Sequence, residues 1–249
     1  MIRLRRAVDE HYGLAQVAIA LVAVEAYELL RYTLRPNWPL AVRHARDVLR
    51  WERDAHLAWE APLQHAFLGW PLALRVLDVF YFVGHFAITA VFLVWLYRRS
   101  RRAYRRFRDA LIATTVLAFV VQWAFPTAPP RIADAGIVDT LRRFVDLDIG
   151  SPGSGGLSDP VAAMPSLHAG WALAVGIGVV LYARRFFWRA LGAVYPAAVV
   201  LTTIVTGNHF LLDAAAGMAV LGAGFLVTGR VVNFRIRRGV EQSGSSPGS

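Results

Sequence analysis

The chain has no cysteine and no lysine. The first absence removes disulfides, thiolate zinc sites and cysteine nucleophiles. The second leaves arginine as the whole Lys/Arg complement, 27 residues against 17 carboxylates, for a formal net charge of +10. Charge of either sign is scarce: 18% of the 249 residues are charged types and 56% are hydrophobic, with a mean hydropathy of +0.43. That balance excludes an ordinary soluble domain. It leaves no nucleic-acid partner either, because the arginines fall in short blocks between apolar runs and form no basic face with interleaved aromatics. What remains is a polytopic membrane protein in which arginine blocks set orientation.

Six apolar runs approach the roughly 20 residues that cover a hydrocarbon core as a helix. They are 14–34, 70–97, 110–125, 167–183, 188–206 and 210–229. The expected fold is all-α, a six-transmembrane-helix bundle with an outer amphipathic helix. The first run follows Arg3, Arg5 and Arg6 as a signal sequence would, but it exceeds the roughly 7–15 apolar residues of a signal core and reads as a retained span. Blocks at the N-terminus, 98–108, 184–189 and 230–238 hold 17 of the 27 arginines, and all four fall on one side when six spans alternate. The positive-inside bias makes that side cytoplasmic. Both termini are then expected in the cytoplasm of a multi-pass plasma-membrane protein, with segments 35–69, 126–165 and 207–209 outside.

Residues 41–67 are too polar to enter the bilayer and read as the amphipathic helix on the outer surface. Arg43, Arg46, Arg50 and Arg53 share one of its faces, which is either solvated or docks phospholipid headgroups. The Gly/Ser-rich run 151–156 supports no regular element and is either a lid or a tolerated insertion. Residues 1–238 are read as one membrane domain and 239–249 as a disordered tail.

Chemistry is expected where polar residues adjoin the outward ends of the runs. His209 and Asp213 share a face if both are helical, so the carboxylate can fix the imidazole tautomer and leave the other nitrogen to attack. A satisfied Asp beside a packed core His is the plainer alternative. Ser166 suits a helix N-cap and sets His168 in the first turn, where unpaired amides favour an anion and an imidazole can protonate a departing alkoxide. A simple cap followed by an interfacial His reads equally well. Arg131, stiffened by Pro129 and Pro130, can grip phosphate oxygens in a bidentate fork or merely snorkel to headgroups.

Met164, Pro165, Ser166, Leu167 and His168, with Gly207, Asn208, His209 and Asp213, resemble signature motifs of the type 2 phosphatidic acid phosphatase superfamily. The likeness is to its inositol phosphorylceramide synthase-like branch; it runs over 125–217, and the proline-rich 126–131 is its weakest part. It implies six helices, a phosphohistidine mechanism, and neither metal nor other cofactor. Position by position it implies that His209 attacks phosphorus, Asp213 orients and charges it, His168 is the general acid, and Arg131 and Ser166 bind phosphate. The partners implied are a phospholipid substrate, a polar or water acceptor and the surrounding membrane lipids.

The departures bear on substrate. The phosphatase pattern has a lysine where this chain has Ala124, a Ser-Arg pair where it has Thr202 and Thr203, and a glycine where it has Leu167. Two cationic phosphate ligands are missing, which disfavours a dianionic monoester and points to a diester donor. Arg142, Arg143 or the Arg43 to Arg53 stripe could restore the charge, and with it a lipid phosphate monoester phosphatase. Two readings of another class stay open. One is a haem protein using His85, His168 and His209, against which His85 lies deep in its run while the others sit at helix ends. The other is a transporter or scaffold in which Glu25, Asp78 and His85 mark a polar path.

Overall fold

The structure, a computed structural model, describes residues 37–134, 136–146 and 161–243. The expected first span, Glu25 and the 151–156 run lie outside the described residues. The described chain is all-α. Its principal helices are α1 (Trp38–Asp54), α2 (Glu60–Phe67), α3 (Pro71–Arg99), α4 (Arg101–Ala124), α5 (Leu167–Tyr182), α6 (Phe186–Val205) and α7 (Leu211–Ser243).

Local chemistry sets the boundaries. Asn37 caps α1, its Oδ1 accepting the Leu40 amide at 3.1 Å. Pro71 opens α3 at a position whose amide needs no partner. Ser100 alone separates α3 from α4, and its hydroxyl accepts the Ala103 amide at 3.2 Å. That cap starts α4 nine residues before the expected run at 110, so most of the arginine block 98–108 is helical rather than a link. The 41–67 segment is two helices, not one. His56 adopts a left-handed φ of 58° and ends the first, which lets α2 turn back toward the same end of the molecule. α7 continues through its arginines to Ser243, so only 244–249 of the expected tail remain, and they lie outside the described residues.

Four helices are long and apolar enough to cross a membrane: α3, α4, α6 and α7 as far as Gly229. α5 is apolar but has 16 residues. At 1.5 Å per residue it reaches about 24 Å, short of the roughly 30 Å hydrocarbon core. Val83, Val91, Val116, Val120 and Leu226 lie exposed along the spans, and Trp70, Trp123 and Trp188 lie exposed at or beside their ends. Apolar flanks with terminal tryptophans are what lipid contact favours, and the chain is a multi-pass membrane protein.

Two cores sit at opposite ends. Phe92, Leu96, Phe107, Leu111, Val175 and Leu221 pack α3, α4, α5 and α7 together near the arginine-rich links. Ala41, Ala45, Val48, Ala128, Val161 and Phe210 fasten α1 over the other end. There, Thr127 forms an isolated parallel bridge with Ala162, which draws the chain leaving α4 against the chain entering α5.

Candidate active site

The turn between α6 and α7 organises the site. Gly207 sits at φ +70°, a conformation that disfavours side chains, and a Cβ there would lie 3.2 Å from both Arg131 Cβ and the Val138 carbonyl oxygen. The Gly207 carbonyl accepts the Arg131 amide at 3.1 Å. The one-turn helix Pro130–Ala133 is thereby pressed onto the residues beside His209. The Arg131 guanidinium donates through Nη1 to Asn208 Oδ1 and lies 3.3 Å, through Nε, from Asp139 Oδ2.

His209 is buried. Its Nδ1 donates to the Ala163 carbonyl at 2.9 Å and stands 3.5 Å from Asp213 Oδ2. Its Nε2 is buried with no hydrogen-bond partner. The expected helical His–Asp spacing is therefore only partly realised. α7 begins at Leu211, leaving His209 outside the helix, and Asp213 Oδ2 turns back to accept the Phe210 amide at 2.9 Å. The Ala163 carbonyl fixes the tautomer instead, with the carboxylate alongside.

Ser166 caps α5, its Oγ accepting the Ala169 amide at 3.4 Å, and its own amide donates to the Asp213 carbonyl at 2.9 Å. The two helix starts approach so closely that a Cβ on Gly217 would lie 2.0 Å from Ser166 O. This contact brings the His168 and His209 rings to 5.8 Å between centroids. Arg131, Ser166, His168, His209 and Asp213 thus gather in one place.

The location departs from expectation in one respect. His168 contacts Tyr81, His85 and Phe86, so the start of α5 lies level with the middle of α3. His85 is consequently not remote from His168, as counting from each helix end suggested. Short α5 begins deeper than long α3, and the site is recessed between the helices. His85 and His168 are in ring contact, with Tyr81 stacked on His168. Asp78 and His85, candidates for a polar path, instead bond Thr140 at 2.8 Å and Tyr195 at 2.9 Å.

Three carboxylates secure the start of α7. Asp213 takes the Phe210 amide, Glu60 the Leu211 amide at 3.0 Å and Glu52 the Leu212 amide at 2.7 Å. These are the donors a helix start leaves unpaired. Glu52 is fully buried, and burial, with lesser repulsion from Glu60 and Asp213, pushes its carboxyl up to about 8 against the pull of the Leu212 amide. Sequence reasoning missed Glu52, Glu60 and Asp139, and named Asn208 in a motif without giving it a role. Glu52 and Glu60 lie in a polar surface-like segment, and nothing local ties them to residues about 150 positions later.

The charges proposed as substitutes are all exposed. Arg142 and Arg143 are exposed in the turn Leu141–Val145. On α1, Arg50 pairs with Asp47 at 2.7 Å and Arg53 with Asp134 at 3.6 Å, while Arg43 and Arg46 border a groove of about 500 Å³ with Trp38, Val42 and Ile132. Thr202 and Thr203 spend their hydroxyls on the Ala198 and Val200 carbonyls of their own helix.

A model of the PAP2 superfamily matches residues 46–227, most of the chain and all five of these residues. The chain belongs to that superfamily. The chain is 24% identical over 176 aligned residues to a phosphoinositol dihydroceramide synthase of Bacteroides thetaiotaomicron, covering 59% of this chain and 58% of that protein. It thus spans less than two thirds of that relative's length. It is also similar to the crystal structure of Aquifex aeolicus LpxE, with 19% identity, a TM-score of 0.46, and coverage of 64% of this chain and 87% of that one.

Proposed function

We propose that the protein transfers the phosphate-bearing headgroup of a phospholipid diester to a hydroxyl acceptor through a phosphohistidine on His209, at the extracytoplasmic face of the plasma membrane. His209 Nε2 supplies the electron pair that attacks phosphorus. As the N–P bond forms, the P–O bond to the lipid alkoxide breaks and the alkoxide takes a proton from His168. The acceptor hydroxyl then returns a proton to His168 while its oxygen attacks phosphorus and frees His209. Asp213 opposes the positive charge gathered on the His209 ring. Arg131, Ser166 and the backbone amides that open α5 hold the phosphate oxygens. In this reading 14–34 is the first span and the short α5 counts as another, for six in all, with both termini in the cytoplasm.

The observation that carries this reading is the His209 imidazole, bonded at Nδ1 and bare at Nε2 beside His168. A diester is favoured because neither Ala124, Thr202 nor Thr203 supplies a cation, and the threonine hydroxyls are committed to backbone. The similarity to a phosphoinositol dihydroceramide synthase supports the same reading.

The test supplies purified protein with phosphatidic acid or with phosphatidylinositol plus a lipid hydroxyl acceptor, and measures phosphate release against headgroup transfer. Transfer from the diester is expected, with acid-labile phosphate trapped on the wild type and absent from His209→Ala. Fast release from phosphatidic acid alone would replace this reading with a lipid phosphate monoester phosphatase. Undiminished turnover in His209→Ala would remove the phosphohistidine.

A further inference from the structure

The site holds a third histidine that belongs to neither motif. α3 is interrupted by a π-turn over Phe80–Gly84, in which the His85 amide bonds to the Phe80 carbonyl five residues back. Such turns are frequent at functional sites. The Tyr81 carbonyl, which a regular helix would give to the His85 amide, accepts instead from His168 Nε2 at 3.3 Å. The Tyr81 ring stacks on His168 at 4.2 Å with an interplanar angle of 17°. One helical turn along, the His85 ring lies 5.1 Å from the His168 ring.

His85 is 1% exposed. Its Nδ1 is bonded to the Tyr195 hydroxyl of α6 at 2.9 Å, while its Nε2 is buried with no partner. An unpaired buried nitrogen carries a desolvation penalty that an apolar side chain of similar size would not incur. Such an atom calls for an account of what it bonds to at another stage.

We propose that His85 is a positioning residue for His168: Tyr195 orients its ring so that Nε2 accepts an N–H of protonated His168 during proton delivery. This rests on the general-acid role given to His168 above. A protonated imidazole carries two N–H groups. When one is turned to the leaving oxygen, the other needs an acceptor, and two groups of α3 border the ring, the Tyr81 carbonyl at 3.3 Å and the His85 ring, whose centroid lies 5.1 Å away. No proton is lost to His85. The proton that leaves His168 with the alkoxide is regained from the acceptor hydroxyl, and His85 accepts only a hydrogen bond.

The test uses the leaving group. Purified full-length protein is assayed with a lipid phosphodiester whose alkoxide needs a proton and with the p-nitrophenyl diester of the same headgroup phosphate, whose phenolate departs without one. His85→Phe keeps the ring and removes both nitrogens; it should lower kcat on the alkoxide substrate about 10- to 100-fold, within the span of general acid catalysis. On the p-nitrophenyl ester it should change kcat by less than about 3-fold, with KM preserved on both. Tyr195→Phe deletes one hydroxyl, should show the same selectivity more weakly, and carries the test if His85→Phe does not fold. Equal losses on both substrates in these variants, or no loss on either, would overturn the assignment. His168→Ala calibrates it. Selective loss there with indiscriminate loss at positions 85 and 195 sinks this inference alone, whereas indiscriminate loss in His168→Ala removes the general-acid reading and this inference together.

Discussion

Asn208 sits between the two parts of the site, adjoining His209 in sequence and accepting from Arg131 in space. Its Nδ2 donates to Thr206 Oγ1 at 2.8 Å, so the amide is oriented from one end and orients the guanidinium from the other. Asn208→Ala should remove one of the partners that orient the Arg131 guanidinium, lowering kcat/KM about 10-fold as judged by initial rates. Glu52 makes a pH-dependent contribution. Its folded carboxyl titrates near 8 instead of its ordinary 4.5, so the folded state binds more protons than the unfolded state between those values. Its contribution to stability is therefore full below 4.5 and is lost as pH rises through about 8. Glu52→Gln retains the acceptor for the Leu212 amide without the charge. Melting temperatures in detergent should match the wild type near pH 5 and exceed it near pH 9, a gap of roughly a few kcal/mol at about 1.4 kcal/mol per pH unit. A constant difference across that range would show that the carboxyl ionises without strain.

At the scale of elements, the joint between α5 and α7 decides whether Ser166, His168, His209 and Asp213 meet. Gly217 leaves no room there, since the atom a Cβ would strike is the Ser166 carbonyl oxygen and not a flexible side chain. Gly217→Ala should separate the helix starts, costing about 1–3 kcal/mol or more from overpacking. Activity should fall by roughly 100-fold, because small displacements of reacting groups are expensive. Gly222, with nothing within 4 Å of its Cβ position, is the control on the same helix. Gly222→Ala should leave activity unchanged and raise stability by up to about 1 kcal/mol through helix propensity. Thermal melts and turnover of the pair separate packing from a general intolerance of substitution in α7. The spans of α3, α6 and the membrane part of α7 were legible from apolar run length because lipid imposes that length. The start of α4 was not, because arginine is a good helix former and a block of arginines reads as a link.

At the scale of the molecule, the absence of cysteine makes topology directly measurable. Arg142→Cys and Arg185→Cys introduce single thiols at exposed positions near opposite ends of the bundle. A membrane-impermeant maleimide applied to intact cells should label the first and reach the second only after permeabilisation. The reverse pattern would invert the proposed orientation and move the site to the cytoplasmic side.

Composition and run length alone determined that this chain lives in a membrane as helices, since lipid admits few other solutions for so apolar a sequence. Two short motifs carried His168, His209 and Asp213, because each motif holds its polar residues within a few positions of one another at the start of an apolar run. Tertiary structure decided the rest. The depth of α5 set His85 against His168, the fold of α1 and α2 brought Glu52 and Glu60 to the amides of a helix about 150 residues away, and the Gly207 turn handed Arg131 to Asn208. These contacts join residues with no periodic or local relation, so they exist only once the helices have packed.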